Sequence, residues 1–275
     1  MTSILSIRDL EVSFYRMFLD AKGQSQSEKK SIINKLCLEV PKKVVTAIIG
    51  GNGAGKTVLL NLISGLLEPD SGEIHFCSNG KMIRLDNKQA HQVAQLGIGR
   101  MFQDSHIFYD MTVFDNMRIA DDDCFGEQPF FSLIQRKKYL QSHQTQNQKI
   151  EEIFERLLGE NNSFWKRRQE LARTLSFGEQ RLLGLMRLFM SDSDLLLLDE
   201  PTAGINSELI EEIQKIILAL VEEEGKTVLV IEHNMDVVKK IATYCAFMDE
   251  GSIEAFGETI FILEKSAVVQ SYLGL

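Results

Sequence analysis

Long apolar runs are missing from this sequence. None approaches the roughly 18 residues that a membrane-spanning helix needs; IILALV, residues 216–221, is among the longest. Basic residues are also in short supply, with 30 Lys and Arg against 39 Asp and Glu and a formal net charge of -9. Binding nucleic acid as a whole-molecule trait needs a basic face to displace backbone counterions, so no nucleic acid is expected as a partner. Cysteine is sparse: Cys37, Cys77, Cys124 and Cys245 are scattered, with no CxxC pair. That spacing points to neither a zinc site nor a disulfide framework, and buried thiols in a reducing compartment are the expectation. The N-terminal MTSILSIRDLEVSF alternates and carries charge, unlike the apolar core of a signal peptide. A soluble, cytoplasmic chain is therefore expected, with any membrane work done through a partner.

What is present is ordinary globular composition: 275 residues, 44% hydrophobic and 25% charged. The length suits one large domain or two intimate subdomains, with a core that needs no disulfide staples. Residues 4–14 alternate apolar and polar as a half-buried strand does. Residues 16–31 are mostly polar and read as an exposed loop or hairpin tip, and LCLEV (36–40) reads as a second strand. Together they suggest a small antiparallel sheet at the start.

VVTAIIG (44–50) is an apolar, β-branched run that suits a strand buried on both faces. A helix is predicted from Lys56 to about Leu67, with strands at 73–76 and 98–102. Residues 104–190 are rich in helix formers and poor in strand signals, and read as a helical subdomain inserted into an α/β core of roughly 1–103 and 191–275. Within it, DDD (121–123) and YLQSHQTQNQK (139–149) look like solvated segments. LLLLDE (195–200) and TVLVIE (227–232) are buried strands around a helix carrying Leu209, Ile213, Ile216, Ile217 and Leu220 and ended by Gly225. That strand–helix–strand rhythm implies a parallel sheet. Residues 246–257 read as a hairpin.

Gly50, Gly51, Asn52, Gly53, Ala54, Gly55, Lys56 and Thr57 fit G-x-x-x-x-G-K-[ST] between a predicted strand and a predicted helix. Glycines let the backbone curl so that several N–H groups face one anion, and the helix N-terminus adds its partial positive charge. In a cradle of this kind the lysine reaches the β- and γ-phosphates and the hydroxyl ligates Mg²⁺. The expected ligands are therefore ATP and Mg²⁺. LLLLDE supplies the acids: Asp199 to hold Mg²⁺, and Glu200 to orient and deprotonate an attacking water.

Many phosphate-binding families share those two motifs. Leu175, Ser176, Phe177, Gly178, Glu179 and Gln180 narrow the choice, because this run closely resembles the LSGGQ signature of ABC ATPases. The acidic strand begins 19 residues after Ser176, the family's order and approximate spacing. The resemblance runs over nearly the whole chain. It implies a P-loop NTPase (RecA-like) α/β fold with an N-terminal antiparallel β-subdomain and an inserted helical subdomain. It also implies two cassettes paired head to tail, as homodimer or heterodimer, with Ser176, Phe177, Gly178 and Glu179 of one closing over nucleotide on the other.

By the same resemblance Gln103 occupies the Q-loop position that touches metal and water, His233 resembles the switch histidine, and Ala203 to Asn206 occupy the D-loop. Phe14 resembles the aromatic that stacks on adenine, with Tyr15 as the alternative. Val58 stands where a second Thr is usual, leaving only its backbone N–H. Gly51 replaces a frequent Pro, Asn206 a frequent Asp, and Glu179 the more common Gln. Hydrolysis is still expected, with an altered rate open.

GIGRMFQ, HIFYDMTVFDNM, the AGIN D-loop, IEHNMDVV and the terminal VVQSYLG (268–274) resemble the branch that imports branched-chain amino acids and amides. Lipopolysaccharide-export ATPases share part of this pattern, and a soluble, non-transport ABC ATPase is the other alternative. Ile107, Phe108, Tyr109, Met111 and Val113 lie where family members receive a coupling helix. Transmembrane permease subunits are thus expected partners, placing the chain peripherally on the inner face of the cell membrane.

Overall fold

The computed structural model describes residues 2–19, 25–104, 106–121, 136–159 and 162–265. Cys124, Asp122, Asp123 and the VVQSYLG segment lie outside the described residues. The strands are β1 (Ser3–Leu19), β2 (Ser25–Pro41), β3 (Val45–Ile49), β4 (Ser71–Ser78), β5 (Lys81–Arg84), β6 (Ile98–Met101), β7 (Leu195–Asp199), β8 (Thr227–Ile231), β9 (Tyr244–Asp249) and β10 (Ser252–Glu258). The helices among the described residues are α1 (Lys56–Ile63), α2 (Ala90–Gln95), α3 (Val113–Ile119), α4 (Arg136–Leu158), α5 (Ser163–Lys166), α6 (Phe177–Met190), α7 (Ser207–Glu222), α8 (Met235–Ile241) and α9 (Thr259–Leu263).

A six-stranded sheet of order β10-β9-β3-β8-β7-β6 carries the core. β6, β7, β8, β3 and β9 run parallel, and β10 closes the edge antiparallel to β9. Alternation sends Val45, Ala47 and Ile49 of β3 into one apolar cluster with α6 and α7, and Ile48 into another with α1 and strands β1, β2 and β4. Both faces are thus covered, which is why β3, β7 and β8 read as unbroken apolar runs. The second sheet, β2-β1-β4-β5, is antiparallel, and the described residues from 106 to 190 contain no named strand. The α/β core with an antiparallel β-subdomain and a helical insertion is therefore the fold.

Several local expectations are corrected. Of the two readings of residues 16–31, the hairpin holds for the described residues: β1 and β2 continue as a paired ribbon out to the Leu19–Ser25 pair. Ladder hydrogen bonds pair the two strands along that stretch. The first helix ends at Ile63 rather than Leu67, because Ser64 returns its hydroxyl to the Leu60 carbonyl (2.8 Å) and Gly65 turns the chain with φ 68°. Residues 139–149 lie within α4; Gln144, Thr145, Gln148 and Lys149 are exposed as a solvated segment should be, but Gln146 is buried, donating to the Arg118 carbonyl at 2.9 Å. β5 and α2 were not anticipated; each is too short to show a period.

The thiols differ from the expectation too. Cys245 is buried in β9, Cys77 is half-buried, but Cys37 is exposed on the outer face of β2. Burial pushes the Cys245 thiol up to about 12, and only the thiolate attacks an alkylating reagent. A maleimide or iodoacetamide at pH 8 is expected to label Cys37 rapidly and to leave Cys245 unmodified until the chain is unfolded, as peptide mapping by mass spectrometry reads directly. Labelling of Cys245 at a rate like that of Cys37 would contradict its placement.

Candidate functional site

Three strand ends define the site. Because β3, β8 and β7 are parallel and adjacent, with Ile48 beside Ile231 and Ile231 beside Asp199, the loops leaving them emerge together. The turn from β3 to α1 is the glycine-lined cradle. Gly50 is dictated by crowding: a Cβ there would lie 2.1 Å from the Met248 carbonyl of β9. Gly55 has φ 101°, and a Cβ would meet the Ile32 carbonyl, Ile33 and Met248, each at 3.0 Å. Asn52 and Gly53 are exposed, Ala54 is buried, and Gly51 and Val58 are half-buried.

Lys56 is 6% exposed, and its ammonium donates to the carbonyls of Gly50 (2.8 Å) and Gly51 (2.9 Å), closing the loop on itself. Burial lowers its pKa, opposed by the charges of Glu200 and Asp199. The next residue, Thr57, donates its hydroxyl to Asp199 Oδ1 at 3.4 Å. Two hard oxygen ligands thus converge at the mouth of the cradle. They fit Mg²⁺, which binds through one or two protein oxygens and otherwise keeps water and phosphate.

Asp199 ends β7 with 3% exposure. Glu200 follows in the left-handed region, φ 49°, a strained conformation of the kind found at functional sites. Its carboxylate Oε1 stands 3.1 Å from His233 Nε2, so the structure brings the two together. Gln103 is exposed just beyond β6. Phe14 and Tyr15 are 42% and 68% exposed on β1, paired with Lys30 and Lys29 of β2. On β2, the Ile32 carbonyl lies against the cradle at Gly55, two residues from Lys30, the partner of Phe14.

The 175–180 segment lies at the start of α6. Ser176 is the N-cap. Its hydroxyl accepts the Glu179 N–H (3.4 Å) while Glu179 accepts the Ser176 N–H (2.8 Å), a reciprocal capping box. Glu179 also pairs with Arg167 at 2.8 Å. Phe177 is exposed, and a Cβ on Gly178 would lie 2.3 Å from the end of the Leu209 side chain of α7, which would have to move to admit one. Asn206 accepts the Leu209 N–H at 3.0 Å as the N-cap of α7. The apolar cluster after Gln103 splits: Ile107 and Val113 are core, while Phe108 and Tyr109 are about half exposed. Beside it, an open groove of about 720 Å³ lies between β6 and α6, lined by Phe102, His106 and Arg187 among others.

Sequence reasoning missed three charged residues. Arg100 of β6, 6% exposed along its side chain, places Nη2 3.6 Å from Asp199 Oδ2 and donates to the Ser64 hydroxyl at 2.6 Å. Burial pushes the Asp199 carboxyl up and the Arg100 guanidinium down, each toward its neutral form, and their mutual attraction only partly offsets this. Arg181 of α6 is 2% exposed and donates to the Glu200 carbonyl at 3.5 Å. Burial lowers its pKa although Asp104, Glu200, Asp199 and Glu232 all face it. Glu232, also 2% exposed, accepts from Thr202 and His233. Their only sequence signal is charge next to a buried strand end or on an otherwise apolar helix face.

The family model described as "ABC transporter" matches residues 33–203, well over half of the chain. The chain is 35% identical over 242 residues to the "Probable branched-chain amino acid transport ATP-binding protein LivG" of Archaeoglobus fulgidus, covering 88% of this chain and 89% of that protein. It is 30% identical over 247 residues to the "High-affinity branched-chain amino acid transport ATP-binding protein BraF" of Pseudomonas aeruginosa, covering 88% and 91%. Among solved structures, the ADP conformation of an ATP-binding cassette of an ABC transporter superposes with a TM-score of 0.75 at 29% identity over 100% of both chains.

Removing Arg100 leaves the Asp199 carboxylate buried without its cation, and breaking a buried pair typically costs about 3–5 kcal/mol. Arg100→Ala is accordingly expected to lower the unfolding free energy of the metal-free chain by about 3 kcal/mol or more at pH 8, read by urea denaturation in chelator. A loss under about 1 kcal/mol, the value of an exposed pair, would show that the two groups do not interact as the geometry implies.

Proposed function

The chain belongs to the ABC transporter family of ATP-hydrolysing subunits, and from that premise we propose that it energises a membrane-embedded importer of branched-chain amino acids or related amides. The observation that supports this most is the coincidence of two things: relatives of that transport class matching nearly the whole length, and a Glu200–His233 pair beside a complete phosphate cradle. In this reading the chain is one nucleotide-binding domain, 1–275, with its helical subdomain at roughly 104–190. Among the described residues no helix is long and apolar enough to cross a membrane, so a permease must supply the pathway. The groove between β6 and α6, with Phe108 and Tyr109 beside it, is where that permease docks, placing the chain on the cytoplasmic face of the membrane.

The residues divide the work. Lys56 exchanges the Gly50 and Gly51 carbonyls for the β- and γ-phosphates, and the amides of residues 50–58 surround the phosphate oxygens. Phe14 stacks on adenine, with Tyr15 as the alternative. Thr57 and Asp199, joined by Gln103, would hold Mg²⁺, which when bound neutralises phosphate charge. Glu200 takes the proton of the attacking water, and His233 positions it. Ser176, Phe177, Gly178 and Glu179 come from a second nucleotide-binding subunit, identical or homologous, and close over the nucleotide. The closed pair requires both γ-phosphate and signature, so ATP acts as a ligand that shifts the pair toward closure and its hydrolysis releases it.

Two measurements test this. Steady-state Mg²⁺-ATPase assays should show turnover in the native chain, and Glu200→Gln should retain ATP binding while losing about 10²–10⁴-fold in kcat, the range of general-base catalysis, and accumulate as an ATP-bound dimer by size exclusion. Full turnover in that variant would remove Glu200 from the role of base. A membrane pull-down of the tagged chain should bring down a polytopic permease; recovery of only soluble partners would reject the transporter assignment while leaving the ATPase intact.

A further inference from the structure

β8 ends at Ile231, and the next residue is a carboxylate that the chemistry above leaves unused. Glu232 is 2% exposed. Its Oε1 accepts two hydrogen bonds from Thr202, from the backbone N–H at 3.0 Å and from the hydroxyl at 2.6 Å. The other oxygen, Oε2, accepts the N–H of His233 at 3.2 Å and that of Asn234 at 3.5 Å. One buried anion is thus shared between two loops. Thr202 lies two residues after Glu200, and His233 follows Glu232 directly.

The arrangement matters because neither reacting side chain is well held by its own surroundings. The Glu200 and His233 side chains are 24% and 37% exposed, and the contact that joins them is a single 3.1 Å approach. Backbone bonds hold each loop on its own, as where the Ala203 N–H meets the Glu200 carbonyl at 3.2 Å, and join the two at their roots, where the Glu200 N–H meets the Ile231 carbonyl at 3.0 Å. Further along, Glu232 bridges the 200–202 turn to the 232–234 turn through side-chain hydrogen bonds. A carboxylate suits the place because it only accepts: the four groups hydrogen-bonded to it are all donors, and the buried Arg181 guanidinium faces it as well.

We propose that Glu232 is a positioning residue for hydrolysis: by clamping Thr202 and His233 on one carboxylate it sets the spacing between Glu200 and the switch histidine. The inference rests on the ATPase reading of this site and adds to it a buried residue that acts through Thr202 and His233. Glutamine is a demanding probe. It keeps the shape and one acceptor oxygen, but its NH₂ must face either the Thr202 donors or the His233 and Asn234 amides. One loop is then released while the fold around it keeps its volume. Thr202→Val is milder, removing the hydroxyl bond and keeping the backbone N–H.

The test is single-turnover ATP hydrolysis by the full-length chain, with equilibrium ATP binding measured alongside. The set is the native chain, Glu232→Gln, Thr202→Val, His233→Ala and the Glu232→Gln/His233→Ala double variant. Glu232→Gln is expected to bind ATP within about twofold of native, because the cradle is untouched, and to lose about tenfold or more in rate, the scale of one misplaced catalytic group. Thr202→Val should lose a smaller factor, about threefold, again in rate and not in ATP affinity. In the His233→Ala background, adding Glu232→Gln should cost less than about twofold, since a residue that acts through His233 has little left to position. Equal losses in both backgrounds, or native rates in Glu232→Gln and Thr202→Val, overturn the inference. If Glu232→Gln does not fold, Thr202→Val decides alone, a native rate rejecting the clamp. Absence of hydrolysis in the native chain would instead reject the ATPase reading, and this inference with it.

Discussion

The parallel register of β3, β8 and β7 is the constraint from which the site follows. Parallel neighbours end on the same side of a sheet, and a sheet covered on both faces leaves its strand ends as the place where polar groups emerge beside one another. Asp199 lies beside Ile231, and Ile231 beside Ile48, so the phosphate cradle, the acidic pair and the histidine loop have no alternative to meeting. Backbone hydrogen bonds tighten the junction: the Glu200 N–H reaches the Ile231 carbonyl, and the Glu232 N–H reaches the Ile48 carbonyl. A one-residue slip of β7 would reverse the faces of its leucines and carry Asp199 away from Thr57.

Electrostatics at that junction run against the composition. The chain is acidic overall, yet the site is braced by buried cations: Lys56 on its own loop, Arg100 against Asp199, and Arg181 under the Glu200 carbonyl. For each, burial favours the neutral form more than its neighbours favour the charge. The fold therefore carries the cost of desolvated charge at the site, and the surrounding apolar packing offsets it. In exchange the anionic groups are fixed in place, and a site already arranged needs no reorganisation when charge moves through it.

The sequence made the core and the cradle legible because both rest on local signals. VVTAIIG and LLLLDE are too uniformly apolar to be anything but buried elements, and the run from Gly50 to Thr57 has few alternatives between a strand and a helix. Beyond Phe14 the sequence left loop and hairpin tip undecided, because polar SQSEKKS gives no period by which to see that its backbone pairs with β1. Arg100, Arg181 and Glu232 were missed for a related reason. A charged residue at a strand end or on a helix is ordinarily solvated, and only the packing of distant elements makes these three buried.

The departures from the commoner family motifs are absorbed by local chemistry. Glutamate at 179 is not a weakened glutamine: its carboxylate accepts the Ser176 N–H while pairing with Arg167, which also donates to the Thr174 carbonyl at 3.0 Å. A neutral amide there would lose the charged contact and tie the loop before α6 less firmly. Asparagine at 206 caps α7 through its oxygen much as aspartate would, since the two are nearly equal at that position. Val58 gives up a hydroxyl but keeps its N–H, the group a phosphate cradle uses most. At 179 and 206 the group that remains is the one the local hydrogen bonds use, so these two departures leave the turns before α6 and α7 intact.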